Sequence, residues 1–173
     1  VGQVEKLPQA LEPYGKNILL VYGGGSIKKT GLYEKIMGLL KDFNVTEFSG
    51  VEPNPQLTTV CRGASVCKTG NVDVILAVGG GSVIDCAKVI AAAALYDGDP
   101  WDFVSGKVAV EKALPIASIL TLAATGSEMD SGAVITNMET KEKLCMLSPH
   151  FYPAFSILDP ENTYSVSKLQ TAS

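Results

Sequence analysis

Solid apolar runs alternate with segments of helical periodicity over the first hundred positions. Residues 18–22 (ILLVY) form a continuous apolar run. They precede 30–43, where Tyr33, Ile36, Leu40 and Phe43 recur at the spacing of one helix face. A short strand is predicted at 45–48, and a helix at 55–70 with Leu57, Val60, Ala64 and Cys67 along one side. The run VDVILAV at 72–78 is the strongest strand signal, and 82–95 is an alanine-rich helix. The strands are apolar throughout rather than alternating, so both of their faces are expected to be covered. Strand and helix repeated in this order predict an α/β fold, a parallel Rossmann-like sheet with helices on both faces.

Beyond residue 95 the rhythm breaks. Residues 96–107 read as a turn-rich loop around Asp99-Pro100, and 114–120 resumes the strand pattern. A polar stretch, TLAATGSEMDSGA, leads into VIT and KEKLCML, which are expected to pair as a hairpin around NMETKE. A last strand is expected at 154–159, closed by Pro160. The final KLQTAS reads as the first turn of a helix, and the chain opens without an initiator methionine, so the sequence is expected to be incomplete.

Composition narrows the picture. A chain of 173 residues that is 46% hydrophobic fits one domain, taken here as 1–173. A charged fraction of 18% and a net charge of -4 leave no basic stripe for phosphate neutralisation, which argues against nucleic acid as a partner. No apolar run approaches the roughly 18 to 20 residues of a membrane span, and no leader pattern opens the chain; a cytoplasmic protein is expected. Cys61, Cys67, Cys86 and Cys145 lack any C-x-x-C pairing and are expected to be buried, reduced thiols without metal. The single histidine, His150, stands between two prolines with no ligand partners nearby.

Candidate chemistry concentrates in three small-residue loops, each following a strand. GGGS at 79–82 joins the strongest strand to a helix; Ser82 and Asp85 have the spacing of a capping box. A tight turn needs only a single glycine, so a run of three points to a phosphate close to the backbone at a helix N-terminus. Neither G-x-G-x-x-G nor the P-loop pattern is present. A second GGGS, Gly23 to Ser26, is followed by Lys28 and Lys29, either solvated or facing a phosphate. It offers no acid of the kind that reads a ribose 2′-hydroxyl, so NADP is permitted beside NAD, with a lean to NADP. The third loop, Thr121 to Ser127, adds hydroxyls at another strand end.

Taken together, YGGGSIKKTG, GVEPNP, AVGGGSVIDCAKVIAAAA, GDPWDF, LPIASILTLAATGSEMDSGAVITN, KEKL and SILDP resemble the metal-dependent group III, or iron-containing, alcohol dehydrogenases, and within them the butanol dehydrogenase branch. The resemblance implies a dehydroquinate synthase-like N-terminal domain that binds NAD(P), followed by a C-terminal helical metal-binding domain absent from this chain. It implies interconversion of primary alcohols, such as butanol, with aldehydes by hydride transfer. By position it implies Gly80, Gly81 and Ser82 at the diphosphate, and Gly24, Gly25, Ser26 and Lys29 on the adenosine side. Asp85, Thr121, Thr125 and Lys143 would lie near the nicotinamide half and Leu158 near the ribose, with Lys141 an alternative to Lys143. The family's iron or zinc is held by an aspartate and three histidines. None of these is matched here, so the chain alone is expected to be inactive and metal-free. A homodimer stays open, as do two other readings: the cofactor domain of a dehydroquinate synthase-like lyase and a stand-alone nucleotide-binding module.

Overall fold

Long apolar strands with no polar side demand cover on both faces, and the computed structural model, which describes residues 1–163, supplies it. Strands β1 (Asn17–Tyr22), β2 (Asn44–Phe48), β3 (Val74–Gly79) and β4 (Ile116–Leu120) are followed by the hairpin β5 (Gly132–Asn137) and β6 (Glu142–Leu147) and by β7 (Phe155–Ile157). Five of them form one parallel sheet in the order β2-β1-β3-β4-β7. Its centre is in register as Ile18 beside Val74 and Ile75 beside Ile116. Every residue of β3 and β4 is buried, as their composition requires.

Among the described residues six helices connect and cover the strands: α1 (Leu7–Leu11), α2 (Ser26–Lys29), α3 (Leu32–Leu39), α4 (Leu57–Thr69), α5 (Gly81–Ala93) and α6 (Trp101–Val104). Alternate strand residues separate into two cores. Ile18, Leu20 and Leu76 pack with Leu7 and Leu11 of α1 and Ile36 of α3. Leu19, Val21 and Ile75 pack with Val60 and Ala64 of α4 and Ile84 and Ile90 of α5. The hairpin lies outside the main sheet, and its Ala133, Ile135 and Met146 join the second core. Helix α5 is therefore sandwiched between sheet and hairpin, which is why it is apolar nearly all round rather than amphipathic.

Several elements differ from the pattern-based expectation. The helix expected at 30–43 is the shorter α3, which begins after Gly31 at φ 78° and ends at Leu39, so Phe43 lies beyond it, and the separate short helix α2 precedes the expected span. Within 96–107 sits the short helix α6, whose first turn is supported by Asp99 accepting the Trp101 amide at 2.8 Å. Residues 3–14, for which no element was expected, are helical turns. Cys67 and Cys86 are buried, but Cys61 and Cys145 are exposed; all four are free thiols. The helical turn expected at 168–173 lies outside the described residues. No helix among the described residues is long and apolar enough to cross a membrane.

The connection from β1 to β2 runs over the α3 face, whereas that from β3 to β4 runs over the α5 face. The crossovers diverge between β1 and β3, and a doubly wound sheet opens a crevice at the carboxyl ends of such a strand pair.

Candidate dinucleotide-binding site

Both glycine loops flank that crevice, one leaving β1 and the other leaving β3. The segment after β2 ties them together. The amides of Gly50 and Val51 donate to the carbonyls of Gly23 and Tyr22 at 3.1 and 3.3 Å, and the Ser82 hydroxyl donates to the Pro53 carbonyl. The Lys143 ammonium reaches Asn54 Oδ1 at 2.7 Å from β6. Lys141, the alternative, holds the hairpin turn with φ 58°, a backbone role distinct from that of Lys143.

The N-terminus of α5 is not closed by a capping box. Gly80 is the cap residue, in extended conformation, and no side chain caps the helix. Ser82 is spent on Pro53, and Asp85 turns to the hairpin, accepting from the Ser127 hydroxyl and, at 3.0 Å, from the Val134 amide. The Gly80 carbonyl takes the amides of Val83 and Ile84 at 3.0 and 3.2 Å. The amides of Gly81 and Ser82 find no acceptor among the described residues and point outward from the positive end of a helix thirteen residues long. An anion there gains about 0.3 to 1 kcal/mol from the dipole, before individual hydrogen bonds are counted.

In the first loop Gly25 has φ 93°, a left-handed conformation that favours glycine, and Cβ atoms at Gly24 and Gly25 would meet nothing within 4 Å. The space beside this loop is open. Ser26 and Lys29 are exposed beside it. Lys28 is neither simply solvated nor free for a phosphate. It lies 3.7 Å from the Glu47 carboxylate and over the Tyr33 ring. Glu47, at the end of β2, also accepts from the hydroxyls of Tyr33 and Tyr22, the latter at 2.7 Å. Those two hydroxyls, with Lys28, hold its carboxyl below the usual glutamate range against the opposing pull of burial.

The third loop touches the second. The Thr121 amide donates to the Gly79 carbonyl at 3.0 Å, and the exposed Thr125 side chain occupies the space a Cβ at Gly81 would need. Burial lifts the Asp85 carboxyl above its ordinary value despite the hydrogen bonds from Ser127 and Val134 and the nearby Lys88 charge. The structure thus brings Gly80, Gly81, Ser82, Asp85, Thr121 and Thr125 together, with Lys143 linked through Asn54. Leu158, beyond β7, borders the third loop from its other side, lining a cavity of 280 Å³ with Leu120 and Ala123. A cavity of 680 Å³ lies elsewhere, between α4 and the hairpin turn at Gln56, Cys61 and Asn137.

Two residues escaped the sequence reading, Glu47 and Lys88, while Ser127 is legible only as the end of the third loop and not as a partner of Asp85. Lys88 had a legible signal, a lysine on the same face as Ile84 and alone among apolar residues from Cys86 to Ala93. For a dinucleotide the residues fit: outward amides, a glycine cradle and neighbouring hydroxyls. For iron or zinc they do not. One histidine is present in the whole chain, and no group of three or more His, Cys, Asp or Glu that could hold a metal occurs among the described residues.

A parallel sheet whose crossovers diverge between β1 and β3 defines a doubly wound, Rossmann-like α/β domain. The chain belongs to the iron-containing alcohol dehydrogenase family, whose model matches residues 1–160. It is 54% identical to the NADH-dependent butanol dehydrogenase A of Clostridium acetobutylicum, over 99% of this chain and 44% of the relative. The NADPH-dependent aldehyde reductase YqhD of Escherichia coli is 43% identical over 92% of this chain and 42% of its own length. The crystal structure of an NADH-dependent butanol dehydrogenase A from Thermotoga maritima superposes with a TM-score of 0.95 at 47% identity, covering 98% of this chain and 44% of that one. The chain therefore spans less than half the length of these relatives.

Proposed function

We propose that this chain is the NAD(P)-binding domain of an enzyme that interconverts primary alcohols and aldehydes. The observation carrying this reading is the uncapped N-terminus of α5, set at the switch point between two glycine loops. Gly80, Gly81 and Ser82 receive the diphosphate through the outward amides. Gly24, Gly25, Ser26 and Lys29 border the adenosine side, where Gly24 and Gly25 leave open space. Asp85, Thr121, Thr125 and Lys143 border the nicotinamide half, and Leu158 offers an apolar contact to the ribose. The bound dinucleotide supplies the hydride donor or acceptor; these residues orient it.

The family match and the relatives' names support a dehydrogenase over a dehydroquinate synthase-like lyase. They also bear on cofactor choice. A relative named as NADH-dependent is more similar to this chain than one named as NADPH-dependent, and Lys28 is held by Glu47, so NADH is the favoured form. Calorimetric titration with NADH, NADPH and ADP-ribose tests the reading: one equivalent of each binds, NADH more tightly than NADPH. Absence of binding by all three at millimolar concentration overturns it.

A further inference from the structure

Lys88 is fully buried in an alanine-rich helix, where an apolar side chain of similar length would avoid desolvating a charge. Its ammonium faces four acceptors: Asp130 Oδ1 at 2.7 Å, the Gly132 carbonyl at 2.8 Å, the Asp130 carbonyl at 3.0 Å and Ser127 Oγ at 3.1 Å. All four belong to one stretch of chain, 127–132, the return from the third loop to β5. That stretch begins with a single helical turn, Ser127–Met129, after Gly126 at φ 77°, and has no long helix or strand of its own to hold it. The loop before it, 121–126, is tied at its start by the Thr121 amide on Gly79, while Ala123, Ala124 and Thr125 are exposed.

We propose that Lys88 is a positioning residue for the nicotinamide half of the cofactor site: it latches 127–132 onto α5 and so fixes the far end of the loop that sets Thr125 against Gly81. This rests on the dinucleotide reading above. The Ser127 hydroxyl links the latch to Asp85, and Asp85 is bonded in turn to the Val134 amide, so helix, loop and hairpin share one polar network. On the other side of the segment the Ser156 hydroxyl donates to the Glu128 carbonyl at 2.7 Å, which leaves residues 121–126 as the span whose placement the lysine governs.

The test uses Lys88→Met in the intact chain, with Asp130→Ala as a second variant that leaves the helix interior untouched. Amide hydrogen exchange should quicken across 122–132 and stay unchanged in β1 and β3. NADH should bind about tenfold more weakly, while ADP-ribose, which lacks the nicotinamide, keeps the wild-type affinity. Asp130→Ala should reproduce both effects at smaller size, which covers the case of a Lys88→Met chain that fails to fold. Unchanged exchange in 122–132, or equal loss of NADH and ADP-ribose in the variant that folds, overturns the proposal. Exchange needs no ligand, so it reports on the latch even if the wild-type chain binds neither nucleotide, the result that would instead sink the cofactor reading.

Discussion

Glycines in the two loops do different work, and the difference decides which substitution is informative. A Cβ at Gly79 would stand 2.6 Å from the Val83 side chain, one at Gly80 would stand 3.2 Å from Leu122, and one at Gly81 would fall on Thr125. The protein itself fills the space beside this run, so the glycines serve packing as well as any ligand. Gly81→Val therefore forces Thr125 aside and should destabilise the fold by about 1 to 3 kcal/mol, which confounds its effect on binding. A Cβ at Gly24 would meet nothing within 4 Å. Gly24→Val should shift the free energy of unfolding by less than about 0.5 kcal/mol, as an exposed substitution does, and weaken NADH about tenfold by filling the cradle. Chemical denaturation and fluorescence titration on the same samples check both; full NADH affinity in Gly24→Val would remove the first loop from the site.

Helices α4 and α5 approach closely because Gly63 faces Ile90: a Cβ at Gly63 would come within 2.8 Å of Ile90 Cγ1 and closer still to its Cδ1. Intrinsic propensity favours alanine over glycine in a helix by about 1 kcal/mol, but the overlap in a filled core costs about 1 to 3 kcal/mol. Overpacking wins, so Gly63→Ala should lower stability, and the loss should be smaller when Ile90→Val removes the offending methyl; a double-mutant cycle from urea unfolding measures that coupling. At this scale the sequence was most legible where an element is long and uniform. The largely apolar runs of β1, β3 and β4 and the period of α4 announced themselves, and the hairpin followed from its polar turn. Residues 3–14 did not, since Pro8 and Pro13 break them into turns too short to show a period. The cap of α5 was misjudged for another reason: local spacing put Ser82 and Asp85 on the helix amides, but the Pro53 carbonyl and the hairpin supplied acceptor and donors from far along the chain. The Glu47 cluster is hidden in the same way, because Tyr22, Tyr33 and Lys28 meet it only once β1 and β2 pair.

At the scale of the whole molecule, the described residues form the crevice proposed above for a dinucleotide and contain no cluster of donors for a metal. Its crevice is formed by chain order alone, from two crossovers diverging between β1 and β3, and the three loops that border it come from segments up to a hundred residues apart. Lewis-acid metal sites of the kind the family resemblance implies need several convergent imidazoles, and this chain contains one, His150, exposed on a short helical turn at Pro149–Phe151. Binding and turnover should therefore separate. NADH at a hundredfold excess over its Kd should stabilise the chain by about 2.7 kcal/mol, seen as a rise in melting temperature that grows with NADH concentration. Added Fe²⁺ or Zn²⁺ should leave that melting temperature unchanged, and metal analysis after desalting should find well below one equivalent. With NADH and butanal present, absorbance at the nicotinamide band should stay constant over hours. Stoichiometric metal retained together with NADH oxidation that depends on butanal would show that the described donors suffice after all; thermal stabilisation by NADH without turnover is the outcome the donor set predicts.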